Sequence, residues 1–271
     1  MDKISIVTIS YNCKDVIEET ILSVIGQTYA NIEYIIIDGA STDGTLEIIN
    51  KYKDKIDYLK SESDKGIYDA MNKGLKAASG DYIIFMNAGD SFYNNNVIEC
   101  FLPQIEKDTI IAHGDIMVVG KYFKYHTKPR PIESMKERMA VKHQATFTKL
   151  DYHKAHTFDA SFRSSGDYDF FYKAYFRDKV KFQYIPLCVA NFDNLGTSNT
   201  NFKRSFRENR RIWGKENNYL FIIKQEITLS LWQLKRFIKN NFFSEEKRIE
   251  HETKRAMLEG KVYNLEERIN I

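Results

Sequence analysis

The feature that most constrains this chain is a rhythm near its start, in which an apolar run, a polar cluster and a helical pattern follow one another repeatedly. Ile4-Ser5-Ile6-Val7-Thr8-Ile9 has the β-branched character of a buried strand, and Val16, Ile17, Ile21, Val24 and Ile25 then recur at helical spacing. Strand-like runs at 33–38, 56–60 and 82–86 alternate with helical stretches near 45–52 and 67–79, where Leu46 and Ile49, then Ile67, Met71, Leu75 and Ala78, make one face. Strands that run the same way need a crossover between them, and a helix supplies it, so the alternation predicts βαβ units and a parallel sheet. Side chains able to do chemistry fall at one place in every unit. Ser10-Tyr11-Asn12, Asp38, Ser61 to Asp64 and Asn87 to Asp90 each follow the carboxyl end of a strand, where open α/β sheets bind their ligands. Taken singly, any of these reads equally well as a loop or helix-capping residue; four coincident strand ends predict a site.

From about residue 109 the rhythm shortens to strands at 109–113, 115–119, 121–126 and 143–148, with Gly120-Lys121 as a hairpin turn. This second half reads as an α+β, acceptor-side structure. Residues 167–177 and 203–240 read as helical. A charged tail over 244–271 carries Leu258, Val262, Leu265 and Ile269 on one helical face. The organisation expected is one domain over 1–218, in two halves at 1–100 and 101–218, followed by a basic amphipathic extension over 219–271. At 271 residues the chain can bury a full-sized core. Cys13, Cys100 and Cys188 are odd in number and lack metal-site spacing, so neither a disulfide framework nor structural zinc is expected. No apolar run is long enough to cross a bilayer and no leader pattern precedes the first strand, which makes the cytoplasm the expected location. Residues 203–255 hold 14 Lys/Arg against 7 Asp/Glu, while the whole chain is only +3, so the remainder is mildly acidic and suits a metal-using site more than a nucleic-acid surface.

Asp38-Gly39-Ala40-Ser41-Thr42-Asp43-Gly44-Thr45 is a strand end, a tight turn and a helix start. The string resembles the Asp-Asp-Gly-Ser-Thr-Asp-Gly-Thr nucleotide-binding motif of the inverting family 2 glycosyltransferases with the GT-A fold. The resemblance continues through Glu62-Ser63-Asp64-Lys65-Gly66-Ile67-Tyr68-Asp69-Ala70-Met71-Asn72-Lys73-Gly74. It is dense over 4–92 and looser over 143–213. It implies a Rossmann-like sheet that binds a UDP-sugar donor, with Ser10, Tyr11, Asn12 and Asp38 lining the uridine and Asp64 and Lys65 closing over base or ribose. For Asp64 the competing reading is a turn residue ahead of Gly66.

The same resemblance implies a divalent ion, Mn²⁺ or Mg²⁺, held by an Asp-x-Asp after the fourth strand to neutralise the diphosphate leaving group. This chain has Asn87-Ala88-Gly89-Asp90, with Asn87 at the first carboxylate position beside the nucleotide-sugar, Gly89 at the second, and Asp90 the remaining acidic ligand. Transfer with inversion needs a base for the acceptor hydroxyl. Ser165-Gly166-Asp167-Tyr168-Asp169-Phe170 resembles the segment that supplies it, with Asp167 at the matching position and Asp169 beside it as an acceptor-side carboxylate. Asp167 also suits a helix start on dipole grounds alone. His143-Gln144 resembles a pair near the meeting point of donor and acceptor. Arg210-Arg211-Ile212-Trp213 shares composition but not spacing with the Gln-x-x-Arg-Trp of processive sugar polymerases, and reads as a basic helix reaching toward diphosphate.

Residues 221–243 mix apolar side chains such as Phe221, Ile227, Leu231 and Trp232 with Lys224, Lys235, Arg236 and Lys239. Such a helix lies on an anionic membrane, packs on the catalytic domain, or pairs with a second copy as a homodimer. The expected function is transfer of a hexose or N-acetylhexosamine from a UDP-sugar to a lipid-diphosphate-linked saccharide, with inversion, in O-antigen, capsule or exopolysaccharide assembly at the inner face of the plasma membrane. The alternative is a non-catalytic sugar-nucleotide- or partner-binding module, raised by the depleted metal motif. No nucleic-acid partner is expected.

Overall fold

The computed structural model describes residues 1–119, 124–193 and 202–242. Its first strand, β1 (Ile4–Ser10), is buried along its whole length, as a parallel strand covered on both faces must be. Alternation splits its side chains between two cores. Ile4 and Ile6 pack with Ile17, Ile21 and Val24 of α1 (Ile17–Ile25), while Val7 and Ile9 pack with Met71 and Leu75 of α3 (Ile67–Ala77) on the opposite face. Beside β1 run β2 (Ile32–Asp38) and β3 (Tyr58–Ser61) on one side and β4 (Tyr82–Phe85) on the other, all parallel, with α2 (Thr45–Asn50) between β2 and β3.

Beyond β4 the sheet changes direction. Among the described residues it has nine strands in the order β3-β2-β1-β4-β8-β6-β9-β5, with β7 (Lys124–Thr127) paired to β6 (Ile111–Val119). β8 (Thr146–Lys149) is antiparallel to both β4 and β6; β9 (Phe182–Asp193) is parallel to β6; β5 (Ser91–Phe92) closes the edge. Short helices α4 (Val97–Phe101) and α5 (Leu150–Ala155) and the longer α6 (Gly166–Phe176) cover the faces. The helices α7 (Phe202–Ile212) and α8 (Tyr219–Phe242) complete the described chain.

The parallel half follows the sequence expectation closely, with ends that differ by at most two residues. The second half departs from it in four ways. The two strands expected at 109–113 and 115–119 are one strand, β6, whose register shifts around Asp115, a bulge that keeps the chain extended while re-aiming it. Residues 143–145 form a 3-10 turn, so β8 begins only at Thr146. β9 was not anticipated because Pro186 interrupts its pattern, and that proline falls in the same register shift, where a missing N–H breaks no ladder bond. The helix expected over 203–240 is two helices, because Gly214 takes φ +62° and ends the first. The hairpin turn at Gly120-Lys121 and the tail over 244–271 lie outside the described residues.

Two histidines are sealed into this core. His113 stands beside Phe182 and Tyr184, and His153 stacks on Phe170 at 4.1 Å. Both Nδ1 atoms lack a hydrogen-bond partner. Burial pushes each imidazole pKa down to about 4 from an ordinary 6.5. The unfolded chain therefore takes up two protons near pH 6.5 that the folded chain refuses until about pH 4. Folding stability is full above pH 6.5 and falls as pH drops toward 4, by roughly 1.4 kcal/mol per pH unit for each histidine. Urea unfolding between pH 7 and 5 should show this slope, and His153→Leu should remove about half of it. A slope unchanged by that substitution would mean that His153 takes up its proton within the folded state.

Candidate active site

Where β4 and β8 part, two loops face each other. Asn87, just beyond β4, brings its side-chain Nδ2 to 3.1 Å from Nε2 of His143, in the 3-10 turn before β8. The other ring nitrogen of His143, Nδ1, is 3.2 Å from Oδ2 of Asp167 in the first turn of α6. With the Asn87 amide nitrogen donating, Nε2 is the unprotonated nitrogen and Nδ1–H donates to the carboxylate. Oδ1 of Asp167 accepts from the Tyr68 hydroxyl at 3.0 Å and from the Tyr168 backbone N–H at 2.9 Å. A carboxylate has about four acceptor positions, and these three bonds leave one, on Oδ2. Burial alone would push the Asp167 carboxyl up. The hydrogen bond from His143, the Tyr68 hydroxyl and the Tyr168 N–H outweigh it and hold the group below the ordinary carboxylate value. The result is a half-buried, ionised carboxylate with a free lone pair, as a proton acceptor requires.

Tyr68 is the participant that the sequence reading passed over. It lies inside the quoted string on the buried face of α3 with Met71 and Leu75, whereas Ile67, which the sequence pattern puts on that face, is exposed; its hydroxyl pKa is raised, first by burial and then by the Asp167 charge. Its ring lies flat against the start of α6: a Cβ at Gly166 would meet ring atoms at 2.8 to 2.9 Å. Gly166 is thus what lets the phenol reach Asp167. Asp169 goes elsewhere. Two residues on along α6, it pairs with Lys173 at 2.6 Å and lines a separate hollow with Asp159 and Arg211, so it is not part of the His143–Asp167 cluster.

On the parallel half, Asp38 is fully buried, and its carboxylate accepts from the hydroxyls of Ser10 (3.0 Å), Ser41 (2.6 Å) and Ser61 (2.6 Å) and from the Ser41 N–H (2.9 Å). Burial would raise its pKa, but these four donors lower it. All its acceptor positions are occupied, so Asp38 fixes the turn and does not itself face the cleft. The turn is also sewn to β1. Asn12, in the left-handed region at φ +46°, donates its N–H to Ser41 Oγ and accepts the Thr42 N–H at its side chain. Tyr11 stands 66% exposed on this ledge. Asp64 accepts the Gly66 N–H, and the exposed Lys65 donates its N–H to Asp69.

The loop after β4 bears on metal binding. Oδ1 of Asn87 is buried without a hydrogen-bond partner, and Asp90, also buried, is folded back by its N–H bond to the Asn87 carbonyl. Among the described residues no three His, Cys, Asp or Glu side chains converge. These residues fit an ion that takes one or two protein oxygens and draws its remaining ligands from phosphate and water, and do not fit an all-protein cage.

A pocket of about 470 Å³ opens from Asp167 across β6 and β7, lined by His143, Gln144, Ser165, the stretches Thr127 to Arg130 and Arg138 to Ala140, and Lys142. Gln144 is 1% exposed, and neither its amide nitrogen nor its oxygen has a partner. Arg210 and Arg211, expected to reach diphosphate, do otherwise. Arg210 is buried and bound to Gln225 and Glu226 of α8, and Arg211 holds Asp159 at 2.5 Å. Along α8, Leu220, Ile223, Ile227, Leu231, Leu234 and Ile238 form a continuous stripe that is 42% to 82% exposed, so this face does not pack on the domain. Among the described residues no helix is long and apolar enough to cross a membrane.

Residues 5–182 match the family model described as glycosyl transferase family 2. An Escherichia coli protein, UDP-Glc:alpha-D-GlcNAc-diphosphoundecaprenol beta-1,3-glucosyltransferase WfaP, is 45% identical over 98 residues, which is 36% of this chain and 39% of the relative. A PGL/p-HBAD biosynthesis glycosyltransferase of Mycobacterium bovis is 25% identical over 210 residues, 74% of this chain and 81% of that one. The fold is shared with S. aureus TarS 1-349 in complex with UDP-GlcNAc, at TM-score 0.62 and 18% identity over 78% of this chain and 64% of TarS 1-349. It is also shared with a Pyrobaculum calidifontis mannosyltransferase in complex with GDP-Man and Mn²⁺, at TM-score 0.55 and 14% identity over 70% and 56% of the two chains. The architecture is therefore the α/β GT-A fold that the sequence motifs imply.

The hydrogen bonds around Asp167 can be tested one at a time. Tyr68→Phe keeps the ring and removes a donor to the ionised carboxylate, so the Asp167 pKa should move up in a carboxyl ¹³C NMR titration. Gly166→Ala, by pushing the ring away, should do the same. An unmoved titration in both variants would exclude Tyr68 from the tuning of this group.

Proposed function

We propose that this chain, which belongs to glycosyl transferase family 2, transfers a hexosyl or N-acetylhexosaminyl group from a UDP-sugar to a hydroxyl of a lipid-diphosphate-linked saccharide, with inversion, in the assembly of a surface polysaccharide. The observation that carries the proposal is the state of Asp167, ionised, fixed by three hydrogen bonds and left with one open lone pair at the mouth of a sugar-sized pocket. The names of the relatives, a glucosyltransferase acting on a diphosphoundecaprenol-linked sugar and a TarS complex holding UDP-GlcNAc, supply the donor and acceptor classes.

In this mechanism the acceptor hydroxyl lies against Oδ2 of Asp167. As its oxygen attacks the anomeric carbon, the proton passes to the carboxylate, and the bond from that carbon to the diphosphate oxygen breaks to release UDP. One displacement inverts the anomeric centre. His143 and Tyr68 keep the base ionised until it is used, and Asn87 fixes the tautomer of His143 by its bond to Nε2. The ledge of Tyr11, Asn12 and Ser41, braced by Asp38, receives the nucleoside, and the exposed Tyr11 ring offers a face for the base. Asp64 and Lys65 border it. Asp90 and Oδ1 of Asn87 would hold a Mn²⁺ or Mg²⁺ ion, which when bound neutralises charge on the departing diphosphate. The bare apolar stripe of α8, with Lys224 and Lys235 on the same helix, suits an anionic membrane at the cytoplasmic face, where a lipid-linked acceptor is found. A second copy is the other surface that would cover it.

Asp167→Asn should leave UDP affinity by calorimetry unchanged and lower transfer by roughly 10²- to 10⁴-fold, with the wild-type product of an α-linked donor showing a β-linkage by NMR. Near-native transfer in the variant, or retention of configuration, would remove Asp167 from this role. EDTA should abolish transfer and added Mn²⁺ restore it. Full turnover in EDTA rules out the ion, and binding of UDP-sugar without either transfer or hydrolysis favours a non-catalytic binding module.

A further inference from the structure

The pocket in front of Asp167 carries more positive charge than the protein neutralises. Lys128, Arg130, Arg138 and Lys142 all line it, and among the described residues none of the four has a carboxylate partner. Several cations elsewhere on the fold are paired: Lys3 binds Glu33, Lys73 binds Glu62, Lys173 binds Asp169, Lys181 binds Asp108 and Arg211 binds Asp159. Among the described residues the pocket's one acidic lining residue is Asp167, already engaged by His143.

We infer that Arg130 and Arg138, with Lys142 between them and the catalytic carboxylate, form a subsite for the diphosphate of the acceptor, the group that joins its first sugar to the lipid. This rests on the acceptor class proposed above and adds the residues that read it. Guanidinium groups suit phosphate because their planar forks donate in pairs to its oxygens. Lys142 reports the electrostatic environment: it is accessible to solvent but crowded by protein, and this crowding first, with Arg130 adding to it and Asp167 and Asp90 opposing, lowers its ammonium pKa. A bound anion relieves the repulsion between Lys142 and Arg130.

The position of this charge is set by the fold. Arg130, Arg138 and Lys142 sit on one excursion between β7 and β8, closed by the Arg130 N–H bond to the Ala140 carbonyl and anchored by the fully buried Met135. The carbonyl of Met135 accepts the hydroxyl of Tyr168, the residue next to Asp167, and Trp213 donates to that same hydroxyl. Base and cations are therefore held in one frame. The lining also contains buried polar atoms without partners, Thr127 Oγ1, both amide atoms of Gln144 and Asn209 Oδ1, each an unmet hydrogen-bonding demand that a polyhydroxylated ligand can satisfy. A pocket of about 470 Å³ has room for one sugar and its diphosphate. The hydroxyl that attacks and the diphosphate then belong to the same sugar residue, so the reaction is the second glycosylation on the lipid. The competing occupant is the donor diphosphate, but the pocket lining includes none of Ser10, Tyr11, Asn12, Asp64, Asn87 or Asp90.

The probe is inorganic pyrophosphate, titrated by calorimetry into the full chain saturated with UDP, in EDTA. One pyrophosphate should bind beside UDP, and Arg130→Gln and Arg138→Gln should each weaken it by about 10- to 100-fold, the loss of charge-assisted hydrogen bonds, while UDP affinity stays unchanged. In transfer assays the same variants should raise KM for a GlcNAc-diphosphate-lipid analogue and leave kcat/KM for a neutral alkyl GlcNAc glycoside unchanged. Absence of pyrophosphate binding beside UDP, or loss of UDP affinity in the variants, overturns the subsite. If pyrophosphate binds as expected but the wild type glycosylates only neutral saccharides, the subsite stands and the acceptor class proposed above falls.

Discussion

The site depends on how briefly β4 and β8 pair. Their ladder contains two residue pairs, Tyr82 with Lys149 and Ile83 with Thr148. A longer antiparallel ladder would carry the sheet straight through the place where Asn87 and His143 now stand. With the ladder cut short, β4 continues along β1 while β8 turns to β6, and the chain ends on either side of the gap meet only through side chains. That gap joins the parallel half, which carries the serine ledge, to the mixed half, which carries Asp167 and the pocket.

Three aspartates show how surroundings assign different work to one side chain. Asp38 has every acceptor position filled by its own protein, and is a structural brace. Asp169 is neutralised by a lysine one turn along its helix. Asp167 is stabilised in its charged form yet keeps one lone pair open, which leaves it able to accept a further hydrogen bond. The first two would be poor bases for opposite reasons. One is sealed, and the other is neutralised in a different hollow.

The pocket side is assembled from pieces distant in the chain. Tyr68 comes from the parallel half, His143 and Gln144 from the turn before β8, Asp167 from α6, and the arginines from an excursion pinned by Met135 and Tyr168. α7 and α8 then lock against this assembly through Trp213 and Arg210, while the outer stripe of α8 stays bare.

The sequence by itself determined the parallel half, because there the signals are local: each buried strand is a short apolar run, each crossover a helical pattern, and each polar cluster follows a strand end. It also placed Asp167 at a helix start and His143 before a strand, since those are features of contiguous residues. Only the tertiary structure decided what these residues do to one another. The burial of Asp38, the reach of Tyr68 past Gly166 and the unpaired charge of Arg130 and Arg138 each depend on partners tens of residues away. Tyr68 shares the buried face of α3 with Met71 and Leu75, but which carboxylate its hydroxyl meets is set by the packing of α6. Hydrogen bonds and charges act over a few ångströms in space, and only folding brings residue 68 within 3.0 Å of residue 167.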